Sequence, residues 1–258
     1  MENGESAVNV KGLRKSFGAQ RVLDGIDLCV PGGETLSVLG RSGTGKSVLL
    51  KLLIGLQKPD GGSIQICGKE ITQLRMEELK EVRKNVGFLF QQAALYDSLS
   101  VEENVAFPIR RSHNRMSPAE LKDRVRELLS QVGMEKEMRK LPSQISGGMQ
   151  KRVGLARALA LEPKVLLCDE PTAGLDPITA SEIDDLILKL QRERQMASVV
   201  VTHDLHSARK ISNRLALLHK GNIVMEGTFE ELKRSRDSFV LQFMREASGE
   251  AVCQELSA

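Results

Sequence analysis

This chain has few cysteines, no long apolar run and almost no excess of one charge. Its four cysteines are scattered and form no C-x-x-C pair, which argues against a structural zinc and fits a reducing compartment. Cys67 and Cys168 lie in apolar runs, so we expect both to be buried. No apolar run approaches the roughly 18 residues of a membrane-spanning helix. We therefore expect a soluble chain whose membrane role, if it has one, depends on a partner.

The net charge and the N-terminal residues argue against further classes of protein. The 37 basic and 34 acidic residues leave a net charge of only +3. That excess is too small to indicate nucleic-acid binding, so no nucleic-acid partner is predicted. Residues 1–8 are polar and acidic, which predicts that no signal peptide is present. No internal repeat is visible, so we expect no second copy of the same unit among these 258 residues.

Strand and helix patterns alternate along most of the chain. Strands are predicted at residues 8–11, 23–30, 35–39, 63–67, 165–168 and 198–202. Helices are predicted at residues 46–55 and 177–194, with a last short helix beginning after Thr228. This alternation predicts an α/β fold in which helices cover a parallel sheet.

Sequence signals for the start of a helix are frequent between residues 92 and 150. Ser100 with Glu103, and Ser117 with Glu120, form capping boxes, and Pro118 occupies the first helical position of the second. We therefore predict a helical subdomain at residues 92–150, inserted into an α/β core made of residues 1–91 and 151–258.

A glycine-rich loop carries the clearest chemistry. It reads Gly40-Arg41-Ser42-Gly43-Thr44-Gly45-Lys46-Ser47 and fits G-x-x-x-x-G-K-[ST] at every fixed position. The glycines let backbone N–H groups surround a phosphate, and the following helix adds about half a positive charge at its N-terminus. Lys46 can reach the β- and γ-phosphates, while Ser47 offers a hydroxyl to Mg²⁺. A chance glycine turn is the alternative, but the predicted strand before the loop and helix after it favour binding of ATP and Mg²⁺.

Two carboxylates end the apolar strand predicted at residues 165–168. Adjacent strand residues point to opposite sides, so Asp169 and Glu170 can do different work. We expect Asp169 to hold Mg²⁺, and Glu170 to act as the general base that polarises the attacking water, a role worth about 10²–10⁴-fold in rate. An acidic turn after a core strand is the alternative.

Ser146, Gly147 and Gly148 precede another helix. Bare N–H groups and a hydroxyl at a helix start can bind an anion. Because the first loop already holds the single nucleotide, we infer that this turn serves a nucleotide on another subunit. An ordinary helix N-cap remains the alternative.

Taken together these motifs resemble the ATP-binding-cassette (ABC) ATPases over nearly the whole chain. The family's motifs occur in order: residues 40–47, Gln91, Ser146-Gly147-Gly148, Asp169-Glu170, Gly174-Leu175-Asp176 and His203. The resemblance implies a RecA-like P-loop NTPase core, an N-terminal antiparallel β subdomain and an inserted α-helical subdomain. It also implies two copies closing head to tail on two ATP molecules.

The same resemblance implies individual roles. Phe17 would stack on adenine, Gln91 would sense Mg²⁺ (with Gln92 as the alternative), and His203 would contact the γ-phosphate. Asp176 would communicate across the dimer. Met149 departs from the family, which usually carries glutamine there; since the phosphate contacts come mainly from the serine and glycines, we expect hydrolysis to survive.

A narrower resemblance is to the Mla/Mce-type lipid-transport ATPases. It rests on residues 40–51, 90–101 and 103–108 and on the Ser-Gly-Gly-Met turn. It implies phospholipid trafficking through an integral-membrane permease at the inner face of the inner membrane, together with an envelope lipid-binding protein. The alternatives are an importer of amino acids or other small solutes, a non-transport cassette, and a regulatory module that binds nucleotide without hydrolysis.

Overall fold

Two β-sheets form the framework of the part of the chain that the computed structural model describes, residues 6–112 and 116–247. The strands are β1 (Ser6–Phe17), β2 (Gln20–Pro31), β3 (Thr35–Leu39), β4 (Gly61–Ile66), β5 (Lys69–Glu70), β6 (Val86–Leu89), β7 (Val165–Asp169), β8 (Ala197–Thr202), β9 (Arg214–His219) and β10 (Asn222–Gly227). The helices are α1 (Lys46–Leu53), α2 (Met76–Arg83), α3 (Val101–Arg111), α4 (Pro118–Gln131), α5 (Gly147–Ala158), α6 (Pro177–Arg194), α7 (Leu205–Ile211), α8 (Phe229–Lys233) and α9 (Ser238–Ala247).

The larger sheet has six strands in the order β10-β9-β3-β8-β7-β6. Every neighbouring pair from β9 to β6 is parallel, and only β10 runs antiparallel. Strands β3, β7 and β8 are buried at every residue, as expected for central parallel strands covered on both faces. The predicted α/β fold with a parallel sheet is confirmed.

The smaller sheet is antiparallel, with strand order β2-β1-β4-β5. Alternate residues of its long hairpin, such as Val8, Leu23 and Ile26, are fully buried. They share one hydrophobic cluster with Leu49 of α1 and Val38 of β3, so this sheet and the larger one pack around a common core. The predicted N-terminal antiparallel subdomain is confirmed.

The helical region contains α3, α4 and the first part of α5. Both predicted capping boxes form: Ser100 N–H donates to Glu103 at 2.8 Å, and Ser117 N–H donates to Glu120 at 2.7 Å. The predicted boundary at residue 150 falls inside α5. That helix packs in a second hydrophobic cluster, which joins α3 and α4 to the large sheet, so α5 belongs to the helical region and to the core at once.

Two local expectations differ from the structure. Cys168 is buried, but Cys67 is exposed, because β4 ends at Ile66 and the chain turns there with Cys67 at a φ of 48°. The helix after Thr228 is not the last one, since α9 follows and buries three apolar side chains.

The N-terminal prediction concerns residues 1–8, of which 1–5 lie outside the described residues. Within residues 6–112 and 116–247, no helix has both the length and the apolar character needed to cross a membrane.

Candidate nucleotide site

The candidate site lies at the edge of the large sheet where its parallel strands end. Leu39 is in register with Thr202, and Asp169 is in register with Val201. The residues that follow β3, β7 and β8 therefore leave the sheet side by side. These are the phosphate loop (residues 40–47), Glu170 and His203, three of the features singled out from the sequence.

Steric limits explain the glycines of the phosphate loop. Gly43 and Gly45 have φ values of 80° and 102°, a region that favours glycine. A Cβ at Gly45 would also lie 2.8 Å from Cγ1 of Val22, and one at Gly40 would lie 2.7 Å from the carbonyl oxygen of Leu218. The loop can take this path only because these positions lack side chains.

Side chains of the loop tie it to itself and to the C-terminal helix. The Lys46 ammonium donates to the carbonyls of Gly40 at 2.7 Å and Arg41 at 3.2 Å, and the Thr44 hydroxyl donates to Arg41 at 2.8 Å. Arg41 and Ser42 are exposed, and the Arg41 guanidinium pairs with Glu246 of α9 at 2.8 Å. Lys46 thus binds the two loop carbonyls of Gly40 and Arg41. Helix α1 begins at Lys46, so its N-terminus points towards the loop.

Lys46 and Ser47 connect the loop to the acidic end of β7. Lys46 Nζ lies 3.7 Å from Glu170 Oε1, and burial lowers the lysine pKa against the opposing pull of that carboxylate. Ser47 Oγ donates to Asp169 Oδ1 at 2.9 Å. Burial raises the pKa of Asp169, while the Ser47 hydrogen bond acts in the other direction.

The oxygens of Ser47 and Asp169 fit Mg²⁺, which prefers hard oxygen ligands and takes the rest of its shell from water and substrate phosphate. Within the described residues, no three His, Cys, Asp or Glu side chains gather into a metal cluster.

Glu170 is held in an unusual backbone conformation, with a φ of 46°. Its Oε2 accepts a hydrogen bond from the Thr202 hydroxyl at 3.1 Å and lies 2.9 Å from His203 Nδ1. Its side chain is only 12% exposed, whereas that of His203 is 60% exposed. The carboxylate is thus fixed by β8 and its following residue, and it faces the lysine of the phosphate loop.

Sequence reasoning missed Lys151, a buried lysine of α5. Its ammonium donates to the carbonyl of Glu170 at 3.1 Å and also to the carbonyl of Gln91. Lys151 stands between Gln150 and Arg152, so nothing in the local charge pattern separates it from a solvated helix face. The shared ammonium brings the backbone of Gln91 beside the acidic strand end.

A second group of predicted residues gathers at the start of α6. The Ser146 hydroxyl caps α5 by accepting from Met149 N–H at 3.3 Å, and Asp176 caps α6 by accepting from Thr179 N–H at 3.0 Å. A Cβ at Gly148 would lie 2.4 Å from the Thr179 methyl group. The Ser-Gly-Gly turn, with Ser146 and Gly147 exposed, therefore packs directly on the first turn of α6, and Gly147 lies beside Leu175 in the loop before it.

Phe17 lies apart, at the tip of the β1–β2 hairpin. Its side chain is 47% exposed, and the Lys15 ammonium lies 5.4 Å from its ring centroid. The second strand of this hairpin runs on to Val22, which touches the phosphate loop at Gly45. The ring is free to stack on a planar group near that loop, and this role stays a prediction.

Two named proteins are similar in sequence to most of this chain. The probable ribonucleotide transport ATP-binding protein mkl of Mycobacterium leprae is 43% identical, over 92% of this chain and 68% of its own length. The methionine import ATP-binding protein MetN of Caulobacter vibrioides is 42% identical, over 90% of this chain and 70% of its own. The chain thus spans about two thirds of the length of these relatives.

Solved structures and a family model agree with that likeness. A dimeric ATP-binding cassette in a post-hydrolysis state with ADP and phosphate matches with a TM-score of 0.79 and 36% identity, over 86% of this chain and 98% of its own. The cbiO1 protein of Clostridium perfringens, described as part of an ABC transporter complex, matches with a TM-score of 0.81 and 30% identity, over 88% of this chain and 90% of its own. The family model described as ABC transporter matches residues 23–173. The chain belongs to the ABC transporter family, as an ATP-binding cassette that hydrolyses ATP with Mg²⁺.

Proposed function

We propose that this chain is the ATP-hydrolysing subunit of an ABC importer for a small polar solute, working through a separate permease. The observation that carries the hydrolytic part is the Glu170 carboxylate, fixed by Thr202 and His203 opposite the lysine of the phosphate loop. The solute class is supported by relatives whose names refer to ribonucleotide transport and methionine import.

The phosphate loop would bind the triphosphate. Lys46 exchanges its bonds to the carbonyls of Gly40 and Arg41 for phosphate oxygens, while the N–H groups at the start of α1 surround the same charge. Ser47 and Asp169 would hold Mg²⁺, and Gln91 would approach the metal from the end of β6. When bound between these residues and the nucleotide, Mg²⁺ would supply positive charge close to the phosphates.

Glu170 would take the proton of the attacking water. A base worth about 10²–10⁴-fold must point steadily at that water, and the bonds from Thr202 and His203 supply the restraint. His203, which is largely exposed, would also reach the γ-phosphate. The ring of Phe17 would stack on the adenine.

A second copy of the chain would complete each site. Ser146 and Gly147 are exposed residues at the start of α5, and the adjoining loop carries Asp176. They can serve a phosphate only on another molecule, because one chain holds one nucleotide. The dimeric form of the similar cassette supports this arrangement.

A permease segment would dock in an aromatic groove at the Gln91 loop, residues 90–100, which joins β6 to α3. The groove has a volume of about 450 Å³ and is lined in part by Phe90, Tyr96, Phe107 and Arg157. The rings of Tyr96 and Phe107 lie 4.6 Å apart, centroid to centroid. Because the groove adjoins the loop of Gln91, a permease seated there would sense the state of the site. The chain would then lie at the inner face of the cytoplasmic membrane.

Glu170→Gln tests the hydrolytic proposal. The amide still accepts the hydrogen bond from Thr202 but cannot take a proton, so phosphate release should fall about 10²–10⁴-fold while ATP affinity stays unchanged. The variant should also accumulate as a dimer on ATP, measured by light scattering. Glu230→Gln, an exposed change on α8, is the matched control and should behave as wild type. Normal turnover by Glu170→Gln would refute the assignment of the base.

Phospholipid trafficking is the second candidate. It is favoured by the resemblance of residues 90–101 and 103–108 to lipid-transport ATPases, since several of these residues line the permease groove. Recovery of the membrane complex through this chain, followed by mass spectrometry of bound molecules, separates the two. An enriched polar solute supports the importer. An enriched phospholipid together with an envelope lipid-binding protein would overturn it in favour of lipid transport.

A further inference from the structure

We propose that Lys151 is a positioning residue, which couples the helix of the Ser-Gly-Gly turn to the backbone of Glu170 and to the Gln91 loop. The inference rests on the proposed role of Glu170 as the base. It assigns to Lys151 no contact with ATP or Mg²⁺; the residue acts through the two carbonyls that it binds.

The position of the ammonium follows from the sheet register. Strands β6 and β7 are parallel neighbours, and Leu89 pairs with Cys168. Gln91 and Glu170 lie two residues after this pair, where the hydrogen bonds between the two strands would continue. No strand pairing joins Gln91 to Glu170. The Lys151 ammonium takes that place by donating to both carbonyls, at 3.1 Å in the case of Glu170.

The backbone of Glu170 is thereby held from two sides. Its N–H donates to the carbonyl of Val201 at 2.9 Å, and its own carbonyl accepts from Lys151. The residue needs both restraints, because a φ of 46° is unfavourable for a side chain other than glycine. Without the lysine, the Glu170 carbonyl keeps only the bond from the Ala173 N–H at 3.2 Å, which lies within the same turn, and nothing links that peptide to α5 or to Gln91. The direction of the carboxylate is then less firmly fixed.

The burial and the surrounding charges of Lys151 are consistent with a positioning role. Lys151 is only 5% exposed, and burial lowers its pKa, whereas the nearby Glu170 and Asp169 favour the charged form. A buried ammonium destabilises a fold unless it is hydrogen-bonded and its charge is balanced. Both carbonyls that bind the ammonium, and both nearby carboxylates, belong to Gln91, Asp169 and Glu170 of the candidate site.

Arg157, two turns further along α5, provides a comparison within the same helix. Its guanidinium donates to the carbonyls of Ala93 at 2.6 Å and Ala94 at 2.7 Å, both of which have left-handed φ values. Arg157 thus holds the far end of the Gln91 loop but binds no atom of Glu170. A change at Arg157 tests the loop tether alone, whereas a change at Lys151 tests the tether and the base together.

The experiment compares Lys151→Met with Arg157→Met in the purified full chain. Lys151→Met keeps the length of the side chain but removes the donors. We expect its kcat for ATP to fall at least 10-fold, with KM and the affinity for a fluorescent ATP analogue changed less than 3-fold. Arg157→Met should lose much less kcat. In a Glu170→Gln background, Lys151→Met should cause no further loss of kcat, because the base through which it acts is already gone.

Other outcomes would overturn the inference. A wild-type kcat for Lys151→Met, an equal kcat loss in Arg157→Met, or a full additional loss in the Glu170→Gln background would each assign Lys151 to folding or to the loop alone. If Lys151→Met does not fold, Lys151→Leu, which also lacks a donor, is judged by the same criteria. Normal turnover by Glu170→Gln would instead refute the proposed function, so the two failures are distinguishable.

Discussion

A buried carboxylate behind the site makes the stability of the chain depend on pH. Asp184 of α6 is 2% exposed, and its Oδ1 accepts a hydrogen bond from the Ser207 hydroxyl of α7 at 2.6 Å. Burial raises the pKa of Asp184 to about 6, although the Ser207 hydrogen bond and Lys210 oppose the change. Helix α7 begins at Leu205, two residues after His203, so this pair anchors the helix that follows the histidine.

The sign of the pH effect follows from the two protonation equilibria. The carboxyl has a pKa of 3.8 in the unfolded chain and about 6 in the folded protein, so the folded state binds the proton more tightly. The free energy of unfolding therefore decreases as the pH rises from about 4 to about 6 and stays low above that. At about 1.4 kcal/mol for each pKa unit, the loss above pH 6 is at most about 3 kcal/mol.

Asp184→Asn should recover most of that loss. The amide is neutral at every pH, has nearly the same shape, and can still accept the hydrogen bond from Ser207. We expect the variant to gain about 2 kcal/mol of unfolding free energy at pH 7.5, or roughly 5 °C in Tm, and almost nothing near pH 4.

Urea unfolding followed by circular dichroism at several pH values measures the difference. Asp185→Asn is the matched control, since that neighbouring side chain is 64% exposed and pairs with Lys210 at the surface; it should show no gain. A difference between Asp184→Asn and wild type that is the same at every pH would refute the reasoning, as would a loss of stability at pH 7.5.

Two further changes test the nucleotide site. Phe17→Ala removes the ring proposed to stack on adenine, a contact worth about 1–3 kcal/mol, so the Kd for ATP should rise about 5- to 160-fold by fluorescence titration, while Lys15→Ala, a nearby control, should change it little. Gly148→Ala introduces a Cβ 2.4 Å from the Thr179 methyl group, which should displace the Ser-Gly-Gly turn. That variant should retain ATP binding but lose ATP-dependent dimers in light scattering, and dimers of wild-type strength would contradict the role given to the turn.

The sequence predicts the phosphate loop well because its determinants are local. Gly43 and Gly45 have the left-handed φ values that their residue type favours, and both the strand before the loop and the helix after it are present. The capping boxes at Ser100 and Ser117 succeed for the same reason, since each bond joins residues three positions apart. The parallel sheet follows from the alternation of elements.

The predictions that were wrong depend on where a strand ends or on which helix is last. Cys67 has apolar neighbours but stands one residue past the end of β4, in the turn, and is therefore exposed. Helix α9 was not predicted, although the structure shows an N-terminal cap in Asp237, whose carboxylate accepts from Phe239 N–H at 2.8 Å. Its packing against Leu217 and Leu232 depends on tertiary structure that no local pattern contains.

The departure at Met149 has a physical explanation that only packing reveals. Its side chain is half-buried and packs against the second hydrophobic cluster, which includes Val153 and Ile183. A thioether side chain suits that apolar contact, so Met149 stabilises α5 by packing against the cluster. The exposed polar groups of the turn remain those of Ser146 and Gly147. A missing glutamine amide at 149 is therefore compatible with hydrolysis.

Helix α5 connects the three places on which the proposed cycle depends. Its first turn carries the exposed Ser146 and Gly147, its middle holds Glu170 through Lys151, and its last turn holds the loop beside the permease groove through Arg157. Twelve residues span only about 18 Å, and the helix is packed on both the sheet and the helical region. In the proposed dimer, a displacement of its N-terminus by the partner's nucleotide would therefore move the lysine or the arginine. Because both bind backbone carbonyls, the helix can pass that displacement to the base and to the groove without a change in any side chain of the phosphate loop.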